Sequence, residues 1–155
     1  MRRAFWCILV VACVSGLLVS SVEAAPFELL FRITSIDGTC QVMRPDDAEF
    51  SDAEQGKAYP YGTRVKTGRG ASAVVEFSQG NQCSIMGDAL LTIAEDAADS
   101  AMKIIKLDQG KINVKLEKDF DQHNRLQVET ATAVCAPMGT EFSVESGSEG
   151  ELSVV

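Results

Sequence analysis

The sequence predicts an all-β protein in which many short antiparallel strands form a β-sandwich or a β-solenoid. Two observations favour this fold class: apolar and polar residues alternate in several short runs, and glycines recur at short intervals between those runs. Alternation with a period of two places one face of a strand against a core and the other face in water. The length of 155 residues leaves room for one such domain.

The N-terminal residues are expected to be removed as an export signal. Two arginines precede an apolar run over residues 4–19, and small residues follow the run. A basic start, an apolar centre and an A-x-A-like site are the three parts of a secretory signal. We therefore predict a helical signal peptide over 1–24, cleavage between Ala24 and Ala25, and a single domain over 25–155.

Two alternatives to cleavage after Ala24 stay open. The apolar run over 4–19 is shorter than the ~20 residues that a spanning helix needs, which counts against an uncleaved membrane anchor. Residues 10–13 (VVAC) resemble a bacterial lipobox, in which Cys13 would become the acylated first residue. The apolar run continues past Cys13, however, and this departure favours the signal peptide.

The first half of the domain is expected to consist of strands joined by glycine turns. Asp37-Gly38 and Gln79-Gly80-Asn81 offer residues that accept positive φ, so each is predicted to close a β-hairpin. Gly110 and Gly139 are likewise placed at tight turns. Alternation predicts the core positions of this half, which are Ala73, Val75, Phe77, Cys83, Ile85, Leu91 and Ile93.

Three later runs show the same period. Their apolar positions are Ile112, Val114 and Leu116, then Leu126 and Val128, then Phe142 and Val144. Two segments lack the alternation: residues 45–57 are polar and acidic, and residues 94–101 combine alanines with acids. Each is expected to be a loop with room for a helical turn.

Composition excludes several functions. The formal net charge of −8 gives no electrostatic footprint for nucleic acid, so no nucleic-acid partner is expected. An aromatic content of 6% does not indicate a platform for stacking sugars or bases. With 46% hydrophobic and 23% charged residues, the chain has the composition of a folded globular protein and not of a disordered acidic tail.

Signal cleavage would leave three cysteines, Cys40, Cys83 and Cys135, each close to apolar residues. An odd number leaves at least one thiol unpaired in an exported chain. Burial of the cysteines as small hydrophobes is favoured over one disulfide with one free thiol. None has a C-x-x-C partner, so the spacing does not favour a redox or zinc site.

Signals for catalysis are weak. Asp119, Asp121 and His123 would share a face of an extended segment and could supply two oxygens and one nitrogen to a metal. Three ligands with a single histidine are a poor transition-metal set, so a solvated loop is favoured. No G-x-S-x-G elbow or phosphate-binding loop occurs. We expect no enzymatic activity, no metal and no cofactor.

Three ordered blocks carry a family resemblance: residues 67–80 (TGRGASAVVEFSQG), 107–114 (LDQGKINV) and 139–144 (GTEFSV). Their sequence and order resemble the FecR domain, the periplasmic domain of iron-dicitrate-type transmembrane sensors, over residues 33–144. The family's motif positions correspond to Thr67, Gly68, Phe77, Gly80, Gly110, Gly139, Thr140 and Phe142. The sequence departs from the family pattern at Gln79, Ala131 and Pro137-Met138, where the family has Asp, Pro and an apolar residue followed by Arg.

The resemblance implies a role in envelope signalling. A complete regulator of this family has a cytoplasmic segment that holds a sigma factor, a membrane span and this periplasmic domain. Only three residues precede the apolar run here, so we expect an exported binding or sensing module without the sigma-binding part. Its expected partner is another envelope protein, in the periplasm or at the surface of a bacterium. A structural envelope protein is the alternative.

The C-terminus is expected to form an open strand. Residues 150–155 begin another alternating run, and an open strand exposes unpaired N–H and C=O groups. Leu152, Ser153, Val154 and Val155 are therefore a candidate edge for strand addition by a partner or by a second copy of the chain. The alternative is that Leu152 and Val154 complete the core of a monomer.

The signal-peptide hypothesis predicts a mature chain that begins at Ala25. Intact-mass measurement or N-terminal sequencing of the exported protein tests this start directly. A chain that begins at Met1 contradicts cleavage, and an acylated Cys13 at the first position favours the lipoprotein alternative.

Overall fold

A computed structural model describes residues 30–78, 80–117, 125–136, 141–147 and 152–154. The predicted fold class is confirmed, because these residues form strands and turns with no helix among them. The predicted signal peptide over 1–24 and its cleavage site lie outside the described residues. Within the described part of the chain, there is no helix with the length and hydrophobicity that crossing a bilayer requires.

Thirteen strands are present in the described residues. They are β1 (Leu30–Asp37), β2 (Cys40–Met43), β3 (Ser51–Asp52), β4 (Ala58–Pro60), β5 (Thr63–Thr67), β6 (Ser72–Ser78), β7 (Asn81–Ile85), β8 (Leu90–Glu95), β9 (Met102–Lys115), β10 (Arg125–Thr130), β11 (Val134–Cys135), β12 (Glu141–Ser146) and β13 (Leu152–Val154).

The long strand β9 divides the curled sheet into two halves. Its C-terminal part pairs with β7 and β12, which gives half A the order β4-β1-β6-β7-β9-β12-β13. Its N-terminal part pairs with β8 and β10, which gives half B the order β3-β2-β5-β8-β9-β10-β11. Pairing is antiparallel throughout except between β9 and β10, which run parallel.

The inner faces of the two halves supply one hydrophobic core. Half A contributes Phe31, Ile33, Val75, Cys83, Ile85, Ile112 and Val114, and half B contributes Val42, Val65, Leu91, Ile93, Ile105, Leu107 and Val128. The alternation therefore located the core correctly, since the inward positions are the ones that the period of two assigns. Phe77 and Phe142 are only partly buried, and both pack against the core.

The chain passes repeatedly between the halves at one end of the molecule, which we name the crossover end. It consists of the connections at 38–39, 68–71 and 86–89 together with Gly110. At this end Gly68 N donates to Thr39 O at 2.9 Å, and Asp88 N donates to Gly68 O at 3.0 Å. Neighbouring crossings are thus linked directly by their backbones.

Two of the predicted turns are wrong, because these residues lie at crossings between the halves. Asp37-Gly38 does not close a hairpin, because β1 pairs with β4 and β6 in half A whereas β2 pairs with β3 and β5 in half B. Gly110 does not lie in a tight turn but inside β9, with φ of +97°, where the strand leaves half B and enters half A. A local pattern cannot distinguish a turn within one sheet from a passage between two.

Other expectations have mixed outcomes. Gly80, with φ of +81°, lies in the turn between β6 and β7, so that predicted hairpin is confirmed. Residues 45–57 contain β3 and turns, and residues 94–101 contain the end of β8 and turns, so neither holds a helical turn. Gly139 and Thr140 lie outside the described residues.

Replacing Gly110 with alanine is expected to destabilise the fold by about 3 kcal/mol, because the new Cβ adds steric clash to an unfavourable positive φ. That Cβ would lie 2.5 Å from Ala89 Cβ and 2.6 Å from Ala89 Cα. Gly56 is the matched control, since its φ is +83° but a Cβ there meets no atom within 4 Å. Gly56→Ala should cost only about 1 kcal/mol. Urea unfolding measures both, and equal losses would refute the close-packing argument.

Candidate functional site

Two motif residues of the first block, Thr67 and Gly68, lie at the crossover end, where backbones approach each other closely. A Cβ on Gly38 would lie 2.8 Å from Ala71 Cβ, and a Cβ on Gly87 would lie 2.8 Å from Gly70 N. Real Cβ atoms essentially never make contacts this short. Adjacent crossings can therefore lie this close together because glycine carries no Cβ at these positions.

Thr67 connects two of the crossings through its hydroxyl. Thr67 Oγ1 donates to Met86 O at 2.8 Å and accepts from Ala89 N at 3.1 Å, and Thr67 N donates to Ala89 O at 2.9 Å. The residue is 1% exposed, so water does not compete for these bonds. This threonine therefore fixes the 86–89 connection against the end of β5.

The remaining motif positions are structural as well. Phe77 packs against the core from β6, and Phe142 does so from β12. Gly80 forms the β6–β7 turn beside Glu117, whose Cγ would lie 2.5 Å from a Cβ at position 80. The motif residues that the structure describes thus shape the backbone, and they do not converge on one cavity.

A cleft that the sequence patterns did not predict lies at the opposite end of the molecule. It has a volume of about 600 Å³ and is lined by Tyr61, Gly62, Ala94, Glu95, Asp96, Ala97, Ala98 and Ser100. We name it the Tyr61 cleft. It lies where the 61–62 connection between β4 and β5 meets the loop between β8 and β9.

An ion pair between buried Lys103 and partly buried Glu95 lies beside the Tyr61 cleft. Lys103 is 7% exposed, and its Nζ lies 3.3 Å from Glu95 Oε1 and 4.7 Å from the centroid of the Tyr61 ring. Lys103 Nζ also donates to Ser100 O at 2.7 Å. Burial, with a smaller contribution from the charge of Glu95, raises the pKa of Tyr61 to about 12, so its hydroxyl stays protonated.

One sequence signal could have revealed this pair. Lys103 alternates in phase with Ile105 and Leu107, both of which face the core. Glu95 is the cross-strand neighbour of Lys103, just as Ile93 is the neighbour of Ile105. A lysine in phase with core positions indicates a buried charge, and a buried charge needs a partner.

The candidate C-terminal edge forms a hairpin. Strand β13 pairs with β12 through Val144↔Val154, Glu145↔Ser153 and Ser146↔Leu152, and in the described part of the chain it pairs with nothing else. It therefore lies at the edge of half A. Val155 lies outside the described residues.

The family comparison decides the identity of the domain. The family model described as FecR protein matches residues 63–155, which is more than half of the chain. The chain belongs to the FecR family. FecR membership indicates a periplasmic sensing or regulatory domain. No curated protein and no solved structure gave a significant match to the chain.

All of the motif residues lie within the FecR match. It begins at the first residue of β5 and includes every motif position from Thr67 to Phe142. The contacts of Thr67, Gly87 and Gly110 at the crossover end give a physical reason for small residues and a threonine in this part of a FecR domain. The FecR family is a family of regulatory and sensor domains.

The cysteines of this FecR domain are free thiols in the described residues. Cys40 and Cys83 are buried as predicted, whereas Cys135 on β11 is only half-buried. Burial raises the pKa of the Cys83 thiol to about 12 and that of Cys40 to about 11. Both thiols therefore stay protonated near neutral pH, and the reactive thiolate is scarce.

The metal hypothesis lies largely outside the described residues. Asp119, Asp121 and His123 all fall in the undescribed segment 118–124. Elsewhere, among the residues that the structure does describe, no three His, Cys, Asp or Glu side chains come together as a metal site.

Thr67→Val is expected to lower the free energy of unfolding by about 2–3 kcal/mol, since it removes two buried hydrogen bonds while keeping the shape of the side chain. Thr63→Val is the matched control. Thr63 is equally buried but makes one such bond, to Pro60 O at 2.7 Å, so its loss should be about 1 kcal/mol. Urea denaturation compares the two, and a Thr67 loss no larger than the Thr63 loss would contradict the bridging role.

Proposed function

We propose that this protein is a non-enzymatic, exported binding or sensing module that acts through protein–protein contacts in envelope signalling. The observation that carries the proposal is the FecR match over residues 63–155, whose described motif residues build the backbone crossings. Because those residues are occupied in holding the fold, recognition falls to the surfaces and edges of the sheet. The proposal includes removal of residues 1–24 and a mature domain over 25–155.

The partner surface that we propose is the edge formed by β13. An edge strand presents a row of N–H and C=O groups that another strand can pair with. The opposite edge of half A is less suited to this, because β4 ends in Pro60 and a proline lacks the N–H that a ladder requires. Loop residues also cover β1 near that edge, since Gly56 N donates to Ile33 O at 2.7 Å.

Two proline variants test strand addition. Successive N–H groups along a strand point to opposite sides. Of the two variants Ser153→Pro and Val154→Pro, one therefore removes an N–H that bonds to β12, and the other removes an N–H on the free edge. The variant that disrupts β12 pairing is recognised by its lower melting temperature. The free-edge variant is expected to lose the partner or the dimer while keeping its melting temperature. Ser153→Ala is the control, because it keeps the N–H. Light scattering and recovery of cross-linked envelope proteins supply the measurements.

The outcomes separate the proposed function from its alternative. Recovery of one specific envelope protein by the wild type, lost in the free-edge variant, supports a binding module. If both proline variants give the mass and the partner of the wild type, the edge is not the interface. Recovery of bulk wall or surface material in place of one protein would instead favour a structural role.

A further inference from the structure

The polar groups that line the Tyr61 cleft are suited to accepting hydrogen bonds. Glu95 and Asp96 contribute carboxylates, which only accept when ionised, and the hydroxyls of Tyr61 and Ser100 can accept as well. The other lining residues are glycine or alanine. A ligand for this cleft is therefore expected to be rich in hydrogen-bond donors.

The ammonium of Lys103, which lies beside the cleft, already has other partners. Lys103 does not line the cleft, and its ammonium contacts Glu95 and Ser100 O and lies over the Tyr61 ring. Although Glu95 Oε1 is buried, no described donor meets it with hydrogen-bond geometry. Among the described residues at the cleft, the carboxylates of Glu95 and Asp96 against the ammonium of Lys103 leave an excess negative charge. This balance favours a positively charged ligand over an anion.

The loop that forms one wall of the cleft is fixed before any ligand arrives. Asp96 Oδ1 accepts from Ala98 N at 2.8 Å and from Asp99 N at 3.1 Å. Asp99 in turn accepts from Ala101 N at 3.0 Å and forms an ion pair with Arg125. A wall held by these bonds costs little conformational entropy to order on binding.

We propose that the Tyr61 cleft binds an organic cation, an ammonium or guanidinium group carried by a peptide side chain or by a free polyamine. Carboxylates beside an aromatic ring are a favourable environment for such a group. The net charge of −8 raises the local concentration of cations around the domain. This site is distinct from the β13 edge, so it adds a second recognition element to the proposed function.

Titration of the folded protein with small probes tests the cation chemistry. The probes are an acetylated and amidated Ala-Lys-Ala tripeptide, its norleucine counterpart and spermidine, followed through the backbone amide signals of residues 94–101. We expect saturable shifts with the lysine peptide and none with the norleucine peptide. Tighter binding of the peptide than of spermidine indicates a protein ligand, and the reverse order indicates a polyamine. Equal behaviour of the lysine and norleucine peptides overturns the proposal.

Charge variants sharpen the test. Asp96→Asn keeps the Oδ1 acceptor that fixes the loop but removes one charge, and it should weaken lysine-peptide binding by about threefold or more. Glu49→Gln is the control, because it removes one charge from the 45–57 loop, outside the cleft, and should change the affinity little. If the two variants weaken lysine-peptide binding equally, the binding is non-specific charge attraction, and the proposed site is wrong.

The variant Lys103→Met is expected to change the affinity for cations in the opposite direction. It removes the internal competitor for Glu95 while keeping a long apolar side chain, so cation binding should strengthen about threefold. A loss of cation binding in a variant that still melts cooperatively would contradict the proposal, because it would mean that the ammonium itself holds the ligand. If this variant does not fold, Asp96→Asn decides the matter alone. The β13 variants should leave probe binding unchanged, so failure of the partner proposal is distinguishable from failure of this one.

Discussion

The fold depends on the close stacking of backbone crossings at one end of the molecule. Each crossing carries the chain from one half of the sheet to the other, and adjacent crossings are joined by hydrogen bonds such as Gly68 N to Thr39 O. At Gly38, Gly87 and Gly110 even a methyl group would lie less than 3.0 Å from a neighbouring crossing, so any side chain there would push the crossings apart. The pairing of β5 with β8, and of β7 with β9, follows from where their connections can be placed.

This constraint accounts for much of the family motif without reference to a ligand. The Thr67 hydroxyl forms hydrogen bonds with two backbone groups, Met86 O and Ala89 N. Gly110, with its positive φ, allows the single strand β9 to pair in both halves of the sheet. Side chains that must satisfy such demands cannot also vary to suit a binding partner. The two recognition sites that we propose for this FecR domain, the β13 edge and the Tyr61 cleft, are accordingly places that the crossings leave free.

At the end of the core beside the Tyr61 cleft, the charged side chains of Lys103 and Glu95 follow the apolar core residues. Lys103 lies two positions before Ile105 on β9, and Glu95 lies two positions after Ile93 on β8, so each is in phase with the core positions of its strand. A buried ion pair is weak evidence for stability, because desolvation offsets most of the attraction between the charges. Glu95 lines the Tyr61 cleft and Lys103 lies beside it, and the proposal of cation binding rests on this placement.

The sequence by itself determined the fold class, most core positions and the family, because a period of two and a motif are properties of neighbouring residues. Val75, Ile85, Leu91 and Ile112 are buried where alternation put them. Only the tertiary structure decided that Asp37-Gly38 is a passage between halves, that Gly110 lies within a strand, and that β10 runs parallel to β9. It also brought Tyr61 to Lys103, 42 positions further along the chain. These features depend on which strands pair, and pairing is set by long-range packing that no local window of sequence contains.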